Sequence, residues 1–182
     1  MRIDSSGNVK LSTAGTVIQN SSGNPILQQT GSILQVVSTT KTDTFTTSTT
    51  GSYVDITGMS VSITPTSTSS KILVIFSGNA AGTTGSSGFI TQLVRGSTAI
   101  CVGTTVGSRT AGSTGGATPD SNWSNSISIN YLDSPATTSS TTYKIQGRVG
   151  AGTFYFNRSQ TDTDTAGYIR SASTITVMEI AG

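Results

Sequence analysis

One run constrains the chain more than any other: Lys71-Ile72-Leu73-Val74-Ile75-Phe76-Ser77, the only place where five apolar residues follow one another without a polar break. A run this short, rich in β-branched and aromatic types, reads as a strand covered on both faces. A buried helix needs roughly ten residues or more, and here Gly78 follows at once. We take the run as the central strand of a sandwich, with the chain after about residue 32 packed around it.

Composition supports an all-β reading. Ser and Thr make up roughly a third of the 182 residues, and Gly is over-used at 21. Charged residues are only 10%, against about 25% in ordinary soluble domains. The surface must therefore be wetted by hydroxyls and amides. Thr suits a pleated surface, and no Ala/Leu/Glu/Lys segment keeps a helical period.

Chain order gives a strand list. Ile33–Val37 leads into a Thr-rich strand, Lys41–Thr47, anchored by Phe45. Tyr53–Ile56 and Met59–Thr64 follow, separated by a Thr57-Gly58 break; Met59, Val61 and Ile63 alternate onto one face. Pro65–Ser70 is turn chemistry, expected to close an antiparallel hairpin onto the central strand. Phe89–Arg95 and Thr98–Gly103 flank Gly96-Ser97, a compact hairpin signal. Ser126–Leu132 is a further strand, Tyr143–Val149 and Thr153–Asn157 are expected to form the next hairpin, and Ser173–Ile180 closes the chain. Strands at this spacing predict a two-sheet, jelly-roll-like antiparallel sandwich over residues 33–182.

Residues 1–32 differ. Ser5/Ser21, Ser6/Ser22, Gly7/Gly23, Asn8/Asn24 and Leu11/Leu27 recur at one spacing. Ser-Ser-Gly-Asn is a turn signal, so each unit reads as a short strand, a turn and a second short strand. Such units cannot bury their few apolar residues alone. Hydrophobic residues are only 33% of the chain, so an ordered arm must borrow apolar partners from other copies, or else lie loosely attached.

Several segments resemble known fibre proteins. Met1-Arg2-Ile3-Asp4-Ser5-Ser6-Gly7-Asn8-Val9 resembles the opening of repeat units in bacteriophage tail-fibre and other virion-fibre shafts. Ile33–Ile75, with Lys41-Thr42-Asp43-Thr44-Phe45, Asp55-Ile56-Thr57-Gly58-Met59 and Ser69-Ser70-Lys71-Ile72-Leu73-Val74, is similar to the terminal β domain of fibre-like proteins of marine and cyanobacterial phages. Tyr131-Leu132-Asp133-Ser134-Pro135 and Thr174–Ile180 fit the same family. The resemblance implies a homotrimeric virion fibre with a shaft and a globular head, but carries over no catalytic or receptor-binding residue. Met1 opens directly on the shaft-like repeat, so residues 1–32 are expected to attach to other virion proteins, unless the chain is part of a longer product.

Chemistry narrows the function. There is no His, which removes the usual general base, Ser-His-Asp and Cys-His sites, and His-based metal sites. Cys101, within Ala99-Ile100-Cys101-Val102, reads as a small apolar core residue. Gly82–Gly88 and Gly112–Gly116 lack the Lys-Ser/Thr pair of a phosphate loop. Lys and Arg are scattered singly, so no nucleic-acid footprint is expected, and nothing reaches the roughly 18 apolar residues of a membrane span. Asp162 and Asp164, two apart in a polar turn, are the candidates for a hard cation such as calcium, with turn stabilisation as the alternative. Glu179, among apolar residues, is expected to pair with an Arg at a subunit contact or to sit at a rim.

The receptor-binding candidates are Arg109, Asp120, Asn122 and Trp123 in the loop Gly103–Asn125, with Tyr168 in a second loop. An indole offers a flat apolar face to a sugar ring, and Asp and Asn meet its hydroxyls. Trp123 alternatively packs inside, at the start of the following strand. The expected function is thus a non-enzymatic tail fibre binding a host glycan or protein. A capsid-surface fibre or decoration protein is the alternative, and a glycan depolymerase a distant third.

Overall fold

The computed structural model describes Arg2–Ile3, Val9–Lys10 and residues 30–85 and 88–182. All secondary structure among the described residues is β. In chain order the strands are β1 (Arg2–Ile3), β2 (Val9–Lys10), β3 (Ile33–Lys41), β4 (Phe45–Thr47), β5 (Val54–Ile63), β6 (Lys71–Gly82), β7 (Phe89–Arg95), β8 (Thr98–Ile100), β9 (Thr114–Gly116), β10 (Asn125–Asp133), β11 (Thr141–Val149), β12 (Phe154–Phe156) and β13 (Ser173–Ile180).

Two antiparallel sheets make the sandwich. In the first, β6 pairs with β10 on one edge and with β13 and then β12 on the other; β3 lies beyond β13 and β4 beyond β12. The second sheet runs β5-β11-β7, with β8 and β9 sharing the far edge of β7. The apolar run is central, as its composition requires. It extends to twelve residues, or about 40 Å of extended chain, and its alternate residues Ile72, Val74 and Phe76 are fully buried.

Between the sheets lies one core. Phe76, Phe154 and Phe156 stack with centroids 6.4 Å apart, and Phe89 of the second sheet meets Phe154 edge-on at 6.0 Å. Gly147 on β11 makes room for this: a Cβ there would lie 2.6 Å from the Phe154 ring. Cys101 is half-buried against the core, with its backbone at a positive φ of 54°. At one end of the sandwich, Asp133 of β10 bridges to the second sheet. It accepts from Arg95 Nη1 at 2.8 and 2.9 Å and from the Tyr143 hydroxyl at 2.6 Å. Burial, with the hydrogen bond and charge of Asp133, pushes the Tyr143 hydroxyl well above its ordinary value.

Several expectations need correction. Pro65–Ser70 does not close a hairpin: β5 pairs with β11, and β6 lies in the other sheet. Nor do β11 and β12 form one, since the turn between them also crosses between sheets. Gly58 does not break a strand; it sits inside β5 at φ 81°, where the register to β11 jumps, forming a bulge. The Thr-rich strand is split instead, β3 ending at Lys41 and β4 starting at Phe45. Among the described residues Glu179 faces no Arg, and it does not sit at a rim. It is 0% exposed and takes Gln35 Nε2 at 2.6 Å and the Thr66 amide and hydroxyl at 2.7 Å. Neutral donors suffice because β3 and the 65–70 turn both close over its carboxylate.

The first N-terminal repeat shows β1 paired antiparallel with β2, Ile3 opposite Val9. Its turn and the whole second repeat lie outside the described residues. The chain joins the sandwich through Gly31 N to Ala181 O (2.7 Å) and Ala181 N to Ser32 O (2.8 Å), at the Lys71 end of β6. No helix among the described residues is long and apolar enough to cross a membrane.

Candidate functional site

The opposite end of β6, at Gly82, gathers the segment 83–85 and three loops, 117–124, 150–153 and 157–172. Side chains rich in hydroxyl and amide groups stitch them together. Gly82 N donates to Thr118 Oγ1 (2.7 Å) and Thr153 N to Thr83 Oγ1 (2.8 Å). Thr84 N donates to Gln160 Oε1 (2.7 Å), and Thr161 N to Ser121 O (2.8 Å). The last bond matters most, because it joins the two loops that sequence reasoning singled out separately. Trp123 lies two residues from one end of it and Asp162 one residue from the other.

The 117–124 loop is held by its own turn chemistry. Asp120 Oδ1 accepts from Asn122 N at 2.7 Å, an Asx turn, and Asp120 O accepts from Trp123 N at 3.4 Å. This leaves Trp123 66% exposed, so the interior alternative is set aside. Asp120 is exposed and Asn122 half-buried. An indole held out on a fixed turn presents a flat apolar face at little entropic cost.

The 157–172 loop leaves and rejoins the sheet at Asn157, which is fully buried and left-handed at φ 61°. Its Nδ2 donates to Lys41 O and Asp43 O at 3.0 Å, and its Oδ1 accepts from the Ser173 hydroxyl. Arg158 bridges to Arg170 through the backbone, and its guanidinium lies 5.2 Å from the Tyr155 ring centroid. Within the loop Asp162 is clamped. Arg170 Nε and Nη2 donate to it at 3.0 and 2.6 Å, and Arg158 Nη1 lies 3.2 Å away. The Arg170 hydrogen bond, against the opposing effect of burial and with the charges of both arginines, holds the Asp162 carboxyl below its usual range.

Asp162, Thr163, Asp164, Thr165, Tyr168 and Arg170 line a cavity of about 420 Å³. Tyr168 is half-buried on its wall and Asp164 exposed. The two carboxylates expected to share a hard cation differ in setting: both oxygens of Asp162 accept from guanidinium groups, while Asp164 is exposed. Among the described residues no group of three His, Cys, Asp or Glu side chains is placed to hold a metal.

Arg109 stands apart. Its loop leaves the edge of the second sheet and is pinned there by Gly103 N to Gly112 O (3.1 Å), Ser113 N to Thr91 O (2.8 Å) and the Tyr53 hydroxyl donating to Ala111 O. It is exposed, and no hydrogen bond or ion pair among the described residues links it to the Trp123 loop. Sequence reasoning missed Arg158, Arg170 and Asn157. The opposed charges of Arg158, Asp162 and Arg170 within one polar segment were a usable signal for the first two; a lone Asn gave none.

No protein-family model and no curated protein matches the chain. Among solved structures it is similar to one described as the structure of infectious bursal disease virus Gx strain, at 15% identity and a TM-score of 0.37. That match covers 96% of this chain and 47% of the other, so the chain spans about half the length of its neighbour. A likeness so distant assigns no activity.

Proposed function

We propose that the chain is a structural fibre protein of a phage virion, of tail-fibre type, whose trimeric head recognises a host cell-surface glycan or protein. The observation that carries this is the placement of the loops. The chain joins the sandwich at the Lys71 end, while Trp123 and the Asp162–Arg170 cavity lie at the Gly82 end. A head attached at one end and presenting an exposed indole, hydroxyls and a fixed guanidinium at the other suits attachment. The resemblance of Met1–Val9 and Ile33–Ile75 to fibre segments supplies the virion context. Three such ends on one rigid body would strengthen weak contacts through effective concentration. The reading is non-enzymatic: with no His and Asp162 held ionised by two arginines, neither a general base near neutrality nor a protonated acid is on offer there.

The test is binding of the labelled full chain to marine cyanobacterial cells and to a printed glycan array. Trp123→Ala should lower binding about tenfold or more, as loss of a central aromatic anchor does. Thr137→Ala, at the opposite end, should leave it unchanged. Equal binding by wild type and Trp123→Ala would overturn the placement of recognition at this end. Immunogold labelling of particles at the tail supports the tail-fibre reading; labelling confined to the head shell would replace it with a capsid-surface decoration protein.

A further inference from the structure

The outer face of the first sheet carries a row that a solvent-facing sheet does not call for. Val36, Met178, Leu73 and Leu132 are successive cross-strand partners on β3, β13, β6 and β10. Their neighbours along each strand face the core, so all four point outward. Val36 is 55% exposed and Leu132 49%, with Met178 and Leu73 half-buried between them. Toward the distal loops the next row is Ser38, Thr176, Ile75 and Asn130, and the one after it Thr40, Thr174, Ser77 and Ser128. Toward the other end Ile180 lies between Lys71 and Ile33, which is 58% exposed. The face thus passes from hydroxyls at the loop end to hydrocarbon at the end where the chain joins. An antiparallel sheet with one wetted face normally turns polar residues outward along its whole length.

We propose that the apolar half of this face is where copies of this chain meet. The proposal rests on the trimeric-fibre reading and assigns its contact surface. Position argues for copies rather than another partner. The chain preceding Thr30 joins at Gly31 and Ser32, held by Ala181 one residue beyond Ile180. Copies meeting on this face therefore bring their leading segments together, while the Trp123 ends remain outside the contact. Charge agrees: Lys71 is the one charged residue on these rows, and the chain carries only +2, so copies gathered on this face bring few like charges together. Size sets the extent of the contact: the two apolar rows, about 7 Å apart on four strands about 4.8 Å apart, cover roughly 270 Å², about a third of the ~800 Å² per partner of a standard interface. The contact must therefore extend beyond the patch. A head-to-tail contact that closes at three copies forms a ring rather than a filament.

The test uses the full chain, with mass by light scattering at micromolar concentration and fold by far-UV circular dichroism. Wild type should be a trimer. The double variant Val36→Asp/Leu132→Asp should dissociate about a hundredfold more readily, because two carboxylates per chain would lose water in the contact. Ser38→Asp/Ser128→Asp, on the hydroxyl half of the same face, should remain trimeric. A trimer that survives Val36→Asp/Leu132→Asp overturns this surface and leaves the trimeric fibre standing; a monomeric wild type removes both. Should the double variant not fold, peroxide oxidation of the wild type decides. Met178 should react as slowly as the fully buried Met59, and oxidation of Met178 at an exposed rate would overturn the proposal.

Discussion

Replacing Glu179 by Gln would keep its shape and remove its charge. The side chain accepts from Gln35, Thr66 N and Thr66 Oγ1, so an amide NH₂ there would face donors. We expect Glu179→Gln to cost about 1–3 kcal/mol at pH 7 by chemical denaturation. Burial pushes this carboxyl up, but the hydrogen bonds outweigh it and leave it below its ordinary value of 4.5. Asp162 is likewise held below 3.8. For a depressed carboxyl the folded state binds fewer protons than the unfolded one. The stability is therefore present above the ordinary pKa and is lost as pH falls through the folded value. Melting temperature should hold from pH 7 to about 5 and fall below about 4.5, with a shallower fall in Glu179→Gln; a flat profile to pH 3 would contradict this. Asn157 has a different task. It ties β3, the β3–β4 break and β13 together from a left-handed backbone. Asn157→Ala strands two carbonyls and a hydroxyl and adds backbone strain, so about 2–4 kcal/mol should be lost. Asn157→Gly should recover only the strain.

At the scale of elements, Gly147 is the joint between the sheets. Gly147→Ala would press on the Phe154 ring and should destabilise by about 1–3 kcal/mol, read as a lower denaturation midpoint with an unchanged slope. Several strands were legible: the apolar run, the alternation of Met59, Val61 and Ile63, and the Gly96-Ser97 turn all lie where their chemistry places them. Strand partners were not. Turn residues report that the chain reverses, whereas whether it stays in one sheet depends on long-range pairing. The 65–70 turn is long enough to cross the ~10 Å between sheets, and β5 finds β11 instead of β6. For the candidate site, loop composition singled out Trp123, Asp120, Asn122 and Tyr168 as residues of two polar loops. It could not reveal that the Trp123 loop is bonded to the Asp162 loop, nor that Arg109 lies on another edge. The two arginines that clamp Asp162 stand four residues before it and eight after it, a distance that only the folded loop closes.

For the whole molecule, the two sandwich ends have opposite characters. One holds the joining segment, the Arg95–Asp133–Tyr143 bridge and the apolar outer rows. The other holds the stitched loops and the exposed indole. A virion reconstruction at chain-tracing resolution tests this polarity most directly. Three copies should stand at the periphery of the tail, with residues 117–124 and 157–172 facing outward and the Lys71 ends gathered toward the particle. A single copy, or Trp123 turned inward against another virion protein, would contradict it.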